Sequence, residues 1–326
     1  MIKFSAKVAR LLALGVLIAF VGAAGAQQAY PVKPIRFIVP FPPGGSTDPL
    51  ARLVGQKLTE AWGQQVIVEN RPGGATVIGT EAAAKAAPDG YTILLAASTH
   101  VINSLLMRDL PYDSFKDFAP VANLIKSEFV LVLHPAVPVN NLQQFIALAK
   151  SKPGELNYGT AGNGNPNHLA GELFNMMAGV KMQAVPYKGG GPAITDLLGG
   201  QVEVLFSVLY SVVPQIKAGR LKAIAVARET RLPSLPQVPT FIEAGLPGFD
   251  PKSWQGIIAP AGTPKAIIDK MATEISRILA QRDVSEKLRS QGTEPFFHGP
   301  EQFAKLMQAD SVRIAAIIKT ANIKLD

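Results

Sequence analysis

The sequence has no cysteine and only four histidines among its 326 residues. Without cysteine there can be no disulfide framework, no thiolate nucleophile, no thiolate metal ligand and no lipid-modified cysteine. The histidines, at positions 100, 134, 168 and 298, lack the short spacings of a metal site. We therefore expect neither a metal centre nor cysteine chemistry.

Motifs for nucleotide cofactors and for serine hydrolases are also missing. No glycine-rich phosphate loop ending in Gly-Lys-Ser/Thr occurs, and no G-x-G-x-x-G follows a strand with an acid about 20 residues on. The nearest approach to the G-x-S-x-G elbow of hydrolases is "GGSTD", in which Ser46 lies one residue away from that arrangement. The sequence thus predicts no bound cofactor.

The charge distribution argues against a nucleic-acid partner. The formal net charge is +8 without any cluster of Lys and Arg, and three of the positive residues are Lys3, Lys7 and Arg10. Subtracting those three from the formal +8 leaves +5 for the remainder of the chain. A mild and dispersed excess of this kind is compatible with a small anionic ligand.

Residues 1–26 have the pattern of a secretory signal peptide. The basic residues precede an eleven-residue apolar run from Leu11, and Ala24 and Ala26 offer an A-x-A cleavage site. The alternative, a membrane anchor, would need an apolar run of roughly 20 residues. We expect cleavage after Ala26 and a soluble protein that is free in the periplasm.

The remainder of the chain alternates short β-rich runs with stretches of helical period. The strand candidates begin at Ile35, Val66, Thr92, Phe129, Leu156, Ala184, Val202, Leu221 and Trp254. Between the first two, Leu50, Leu53, Val54 and Leu58 fall on one face of a helix. This alternation predicts an α/β fold with parallel sheets.

The order of these elements predicts two lobes joined by two crossings. The tail from Pro264 is helix-rich and has no strand pattern of its own, so we expect it to pack on the first lobe. The first lobe would comprise residues 27–130 plus 254–326, and the second residues 131–253. The crossings would lie near "FVLVLHP" and "SWQGIIAP", the second approached by an ordered, proline-rich surface loop from Arg231.

Four strand-to-helix junctions share a glycine-rich pattern. They are "PFPPGGSTD" from Pro40, "RPGGATVIGT" from Arg71, "YGTAGNGNPNH" from Tyr158 and "YKGGGPAIT" from Tyr187. The start of a helix has backbone N–H groups without intrahelical partners and the positive end of the helix dipole, so it can bind a carboxylate or phosphate without a lysine.

Each junction alone is also ordinary α/β turn chemistry, and Asn165 before Pro166 is a natural N-cap. The third junction has three glycines and three asparagines in the ten residues from Gly159, which is more polar backbone than a turn requires. His168, two residues beyond Pro166, fits either a capping or surface position or a place in a pocket.

These junctions belong to longer stretches that resemble a known family. "PFPPGGSTD", "VENRPGGATVIGTEAAAKAAPDGYTILL", "LNYGTAGNGNPNHLAGE", "VPYKGGGPAITDLLGGQV" and "IIAPAGTP" are similar, in order and spacing, to the periplasmic receptors of tripartite tricarboxylate transporters, often called Bug-type receptors. The resemblance implies a two-lobed, type II periplasmic-binding-protein fold with a hinge and a ligand cleft between the lobes. It also implies a small carboxylate ligand and, in some members, integral membrane transporter subunits as partners. We expect the protein itself to be a monomer.

The resemblance also implies which residues bind the ligand. The first lobe would contribute Phe41, Gly44, Gly45, Ser46, Thr47 and Asp48, with Thr76 and Ser98 as further wall positions. The second lobe would contribute Thr160, Ala161, Gly162, Asn163, Gly164 and His168, with Lys188 and Gly189 as further wall positions. In the family these loops face each other and hold one ligand carboxylate, partly through ordered water. Two opposed helix ends can supply the charge-assisted donors that a carboxylate needs.

One position departs from the family pattern. Many relatives carry an Asp in an "MFD" sequence shortly after "DLLGGQVD", whereas this chain has "VEVLFSVLYS", with Ser207 at that position. An acid there could engage a ligand ammonium or a cation, and a serine leaves room for a second carboxylate or a ring. We include Ser207 in the predicted site, and we expect the ring of Phe41 and the hydroxyls of Ser98 and Thr99 to line the same far end of the cleft. We favour a dicarboxylate, including an aromatic one, over an amino acid or citrate. The alternative is that Ser207 never touches the ligand.

The predicted function is capture of a small carboxylate in the periplasm and delivery to a membrane transporter. Two alternatives stay open. One is a sensor that presents its bound ligand to a two-component system. The other is a secreted hydrolase that uses Ser46 or Thr160 with His168, although it lacks an identified acid to orient the histidine. We predict that the protein is not an enzyme.

Overall fold

The computed structural model describes residues 30–45, 47–320 and 323. The predicted signal peptide and Ser46 lie outside the described residues. Within the described ranges, no helix combines the length and the apolarity needed to cross a bilayer.

Eleven strands and ten α-helices are found in this part of the chain. The strands are β1 (Ile35–Val39), β2 (Val66–Asn70), β3 (Thr92–Ala97), β4 (Phe118–Ser127), β5 (Phe129–Leu133), β6 (Asn157–Thr160), β7 (Gln183–Pro186), β8 (Val204–Val208), β9 (Lys222–Val226), β10 (Ser253–Pro260) and β11 (Glu294–His298). The helices are α1 (Thr47–Trp62), α2 (Val77–Ala84), α3 (Thr99–Leu106), α4 (Leu142–Ser151), α5 (Pro166–Ala178), α6 (Gly190–Leu198), α7 (Leu209–Lys217), α8 (Lys265–Ala280), α9 (Arg282–Ser290) and α10 (Pro300–Thr320).

The strands form two sheets, one in each lobe. The first sheet has the spatial order β11-β4-β10-β3-β1-β2 and the second the order β7-β6-β8-β5-β9. The chain passes from the first sheet to the second between Ser127 and Phe129, and it returns between Val226 and Ser253. The two-lobed α/β class is therefore confirmed, while the lobe limits assigned within the connecting segments stay a prediction.

The expectation of parallel sheets was wrong for the strands next to the crossings. β1 is parallel to β2 and β3, and β6 is parallel to β7 and β8. In contrast, β10 is antiparallel to β3 and β4, and β5 is antiparallel to β8 and β9. β5 and β10 are the first strands after the crossings, so each enters its sheet from the other lobe and runs against its neighbours.

β4 and β11 were not predicted from the sequence. Pro120 and Asn123 interrupt the apolar pattern of β4, yet Asn123 is fully buried in the sheet. Its side-chain amide donates a 2.8 Å hydrogen bond to the carbonyl of Phe296 in β11, which is antiparallel to β4. A buried polar group with a partner is tolerated in a strand, and the partner is not visible in the sequence.

The C-terminal helices pack on the first sheet, as predicted. Phe303, Met307 and Ile314 of α10 are buried in one cluster with Ile38 of β1. The same cluster contains Leu169 of α5, a helix that follows a strand of the second sheet. An apolar contact between the lobes therefore lies one residue from His168.

Candidate functional site

The loop between β1 and α1 lines a cavity between the lobes. Phe41, Gly45 and Thr47 are in its wall, and Thr47 begins α1. α1 forms because Leu50, Leu53, Val54 and Leu58 all face the core, as the helical spacing predicted. Gly44 lies in this loop but does not line the cavity, and Ser46 is outside the described residues.

Asp48 braces this loop instead of facing the cavity. It is buried, and its carboxylate accepts hydrogen bonds at 3.0 Å from the Arg52 guanidinium and from the Asn70 side-chain amide. Asn70 also donates at 3.1 Å to the carbonyl of Phe41. The acid therefore connects the start of α1 to the end of β2 and to the loop.

The loop between β6 and α5 lies opposite, on the second lobe. Ala161 lines the same cavity as Phe41, and Gly162 and Asn163 line a wider, outer cavity next to it. Asn165 caps α5: its side-chain oxygen accepts a 3.2 Å hydrogen bond from the Asn167 N–H, with Pro166 in the first helical position. The predicted N-cap is confirmed.

Three predicted site residues hold the conformation of this loop and do not line either cavity. They are Thr160, Gly164 and His168. The Thr160 hydroxyl accepts a 3.2 Å hydrogen bond from the Gly162 N–H, and His168 Nδ1 accepts one of 3.1 Å from the Gly164 N–H. Burial lowers the pKa of His168 below its ordinary value, although Glu172 opposes that change. A neutral ring with an unprotonated Nδ1 is the state that this hydrogen bond requires.

Of the remaining predicted wall positions, some line a cavity and one does not. Lys188 and Gly189 line the outer cavity, as does Thr76, whose backbone has a positive φ of 82° that is unusual for a β-branched residue. Ser207 lines the inner cavity. Ser98 lines neither cavity. Its side-chain oxygen instead accepts a 3.1 Å hydrogen bond from the Trp254 N–H.

The inner and outer cavities form one cleft. The inner cavity has a volume of 60 Å³ and the outer one 650 Å³. Both are lined by Phe41, Pro42, Thr99, Ala161 and Asn165. Among the described lining residues, the inner cavity has no charged side chain and the outer cavity has only Lys188.

The lobes meet where Pro42 approaches Gly189. A Cβ at position 189 would lie 2.6 Å from Cγ of Pro42, and Gly189 has a φ of +130°. Glycine is therefore required at this position both by its backbone conformation and by the proline ring. The contact joins the loop before α1 to the loop before α6.

Several cleft residues were not assigned to the site from the sequence. The inner cavity is also lined by Asn167, Ser211, Ser253 and Gln255. Ser211 follows β8 at the start of α7, and Ser253 and Gln255 lie on β10, the strand that returns to the first lobe. Their location at the predicted second crossing is the signal that could have identified Ser253 and Gln255 from the sequence.

The site does not bring together a catalytic or metal-binding set among the described residues. The side chains of Thr160 and His168, two of the hydrolase candidates, are both held against the backbone of their own loop. No group of three His, Cys, Asp or Glu side chains within the described ranges is arranged to hold a metal ion.

Comparisons with known proteins agree with this architecture. Residues 50–323 match the model of the family described as "Tripartite tricarboxylate transporter family receptor". Protein BugT of Bordetella pertussis is 38% identical over 321 residues, which cover 97% of this chain and 98% of BugT. The structure of R. palustris Rpa4515 with adipate is 35% identical, with a TM-score of 0.88 over 90% of this chain and 99% of that one. MatC (Rpa3494) from Rhodopseudomonas palustris with bound malate is 34% identical, with a TM-score of 0.82 over 89% of this chain and 100% of MatC.

Proposed function

The chain belongs to the family of tripartite tricarboxylate transporter receptors, and from that premise we propose that it captures a small dicarboxylate between its lobes and delivers it to membrane transporter subunits. The observation that carries this proposal is a cleft lined by the glycine-rich starts of two helices from different lobes. Gly45 and Thr47 precede or begin α1, and Ala161 and Asn165 precede α5.

A carboxylate suits this cleft better than a neutral or cationic ligand does. The starts of α1 and α5 present backbone N–H groups and the positive ends of two helix dipoles. Among the described lining residues there is no acid to repel an anion, and Lys188 lies at the outer cavity. The negative charge of Asp48, next to the cleft, is compensated by its ion pair with Arg52.

The bound ligands of two relatives support the same chemical class. Rpa4515 is described with adipate and MatC with malate, which are both dicarboxylates. We extend the class, and not the particular compound, to this chain. The family also supports a periplasmic location and a role as a binding protein without enzymatic activity.

Thermal-shift measurements test the capture of a carboxylate. A ligand present at 100 times its dissociation constant adds roughly 2.7 kcal/mol of stability. At least one of adipate, malate, succinate and phthalate should raise the melting temperature, and glucose and putrescine should not. Shifts with glucose alone would contradict the proposal.

A pair of variants locates the binding event. Ala161→Leu places a large side chain at a position that lines both cavities, and it should abolish the shift. Ala136→Leu makes the same change at an exposed position and should leave the shift unchanged. A full shift with Ala161→Leu would mean that the ligand binds elsewhere.

Uptake by cells tests the delivery step. A deletion strain should lose uptake of the radiolabelled ligand, and wild-type protein but not Ala161→Leu should restore it. Unchanged uptake together with a lost transcriptional response to the same ligand would instead favour a sensor for a two-component system.

A further inference from the structure

Two buried hydroxyl groups in the inner cavity have no hydrogen-bond partner among the described residues. They are Oγ1 of Thr99, on the first lobe, and Oγ of Ser211, on the second. Thr99 is only 2% exposed. Buried polar atoms in folded proteins almost always have partners, so two orphaned hydroxyls in the wall of one cavity indicate a ligand that supplies the acceptor.

Both hydroxyls stand at the start of a helix that lacks a side-chain cap. Thr99 is the first residue of α3, and the N-cap residue Ser98 makes no cap hydrogen bond because its side-chain oxygen accepts from Trp254. Ser211 is in the first turn of α7, whose N-cap Val208 has no polar side chain. The positive ends of two helices therefore face the region of these hydroxyls, and negative charge is favoured there.

Ser207 does not take this role, although it lines the same cavity. Its hydroxyl donates to the carbonyl of Val208 at 3.2 Å, so its proton already has an acceptor. Ser207 contributes space and the absence of a negative charge. Ser211, one turn further along, has the hydroxyl without a partner.

We propose that Thr99 and Ser211 form the subsite for the second carboxylate of the ligand, and that they make the protein selective for dicarboxylates over monocarboxylates. This inference rests on the proposed function, in which the first carboxylate binds between the loops before α1 and α5. A carboxylate accepts from both hydroxyls, whereas the methyl end of a monocarboxylate leaves both without a partner. Lys188 in the outer cavity is the rival position for the second charge.

Calorimetry on matched ligand pairs tests the subsite. The pairs are succinate with butyrate, adipate with hexanoate, and phthalate with benzoate. Thr99→Val and Ser211→Ala should each lower the affinity for the preferred dicarboxylate at least tenfold and change the affinity for its monocarboxylate partner less than twofold. Thr99→Ser keeps the hydroxyl and should keep the selectivity.

Ser234 provides a control for the loss of a buried hydroxyl. Ser234→Ala removes an unpartnered hydroxyl outside the described lining of the cleft, and it should leave both affinities unchanged. Thr99→Val should not lower the melting temperature of the ligand-free protein, because the lost hydroxyl has no protein partner. Equal losses for both members of a pair, or a loss of selectivity in Lys188→Gln alone, would overturn the subsite while the proposed function stands. A wild-type protein that binds neither malate nor any of the six acids would overturn both.

Discussion

The contact between Pro42 and Gly189 predicts that one methyl group weakens closure of the cleft. In Gly189→Ala the new Cβ would lie 2.6 Å from Cγ of Pro42, against the 3.4 Å at which ordinary contact begins. The proline ring is rigid and cannot turn away as a flexible side chain would. In an open form, with the lobes apart, this clash would be absent, so the substitution should raise the free energy of the closed form relative to the open one.

The size of the effect follows from overpacking. Extra atoms in a well-packed contact cost about 1–3 kcal/mol. Because we expect the lobes to close on the ligand, the dissociation constant should rise by the corresponding factor of about 5 to 150. The φ of +130° also strains an alanine by about 1–3 kcal/mol, but this strain is present in both forms and should lower the melting temperature, not the affinity.

Two glycines outside the described lining of the cleft provide matched controls for calorimetry with adipate, or with malate if adipate does not bind. A Cβ at Gly191 would lie 3.5 Å from the Gly44 carbonyl, and a Cβ at Gly199 would lie 3.6 Å from the Thr195 carbonyl, which are both ordinary contacts. Both alanine variants should bind within a factor of about 3 of the wild type. Small-angle scattering should show a smaller radius of gyration with ligand in these two variants and a weaker change in Gly189→Ala at the same ligand concentration.

A double variant decides between the clash and the backbone strain. Pro42→Ala removes Cγ and Cδ, so Pro42→Ala combined with Gly189→Ala should recover most of the affinity that Gly189→Ala loses, without recovering its melting temperature. Wild-type affinity in Gly189→Ala, or equal losses in all three glycine variants, would refute the argument.

Two further predictions concern buried histidines. Burial lowers the pKa of His100 to about 4, so between pH 6.5 and pH 4 the unfolded chain binds more protons and the free energy of unfolding should fall by about 3 kcal/mol as the pH drops. His100→Gln can keep the donor to the Ser114 carbonyl, and it should make the free energy of unfolding, measured with urea, depend less on pH over this range. Parallel pH curves for the wild type and the variant would contradict the assignment of this pH dependence to His100. His168→Leu removes the acceptor for the Gly164 N–H and should weaken ligand binding by about tenfold, a loss of about 1.4 kcal/mol that calorimetry can measure. His168→Asn keeps an acceptor near the position of Nδ1 and should restore the affinity. Equal affinities of the two variants would contradict a role for this hydrogen bond in holding the loop.

Much of the fold could be predicted because its elements are encoded locally. β3 begins at Thr92, as predicted, and α1 buries the four residues whose spacing predicted it. β4 could not be recognised, because Asn123 is stable inside a sheet only through its hydrogen bond to β11, more than 170 residues away in the sequence. The direction of the strands next to the crossings could not be predicted from local sequence patterns either, since it depends on which lobe the chain comes from.

The site was predictable as a set of loops but not as a set of contacts. Glycine-rich helix starts identified the loops at residues 41–48 and 160–164, which do line one cleft. Within them, the sequence could not distinguish a residue that faces the cleft, such as Ala161, from one that supports the loop, such as Asp48 or His168. That distinction depends on partners such as Arg52, which only the folded chain brings into place.

Ser98 and Thr99 show why selectivity in particular could not be deduced from residue types. They are adjacent hydroxyl residues at the start of one helix, and in the sequence they are equivalent candidates. In the fold the Ser98 side-chain oxygen accepts from the Trp254 N–H, whereas the Thr99 hydroxyl has no partner among the described residues. A hydroxyl with a protein partner contributes to stability, and one without a partner costs stability until a ligand arrives. Selectivity should therefore change at Thr99 without loss of stability, whereas loss of the hydroxyl at Ser98 should reduce stability first.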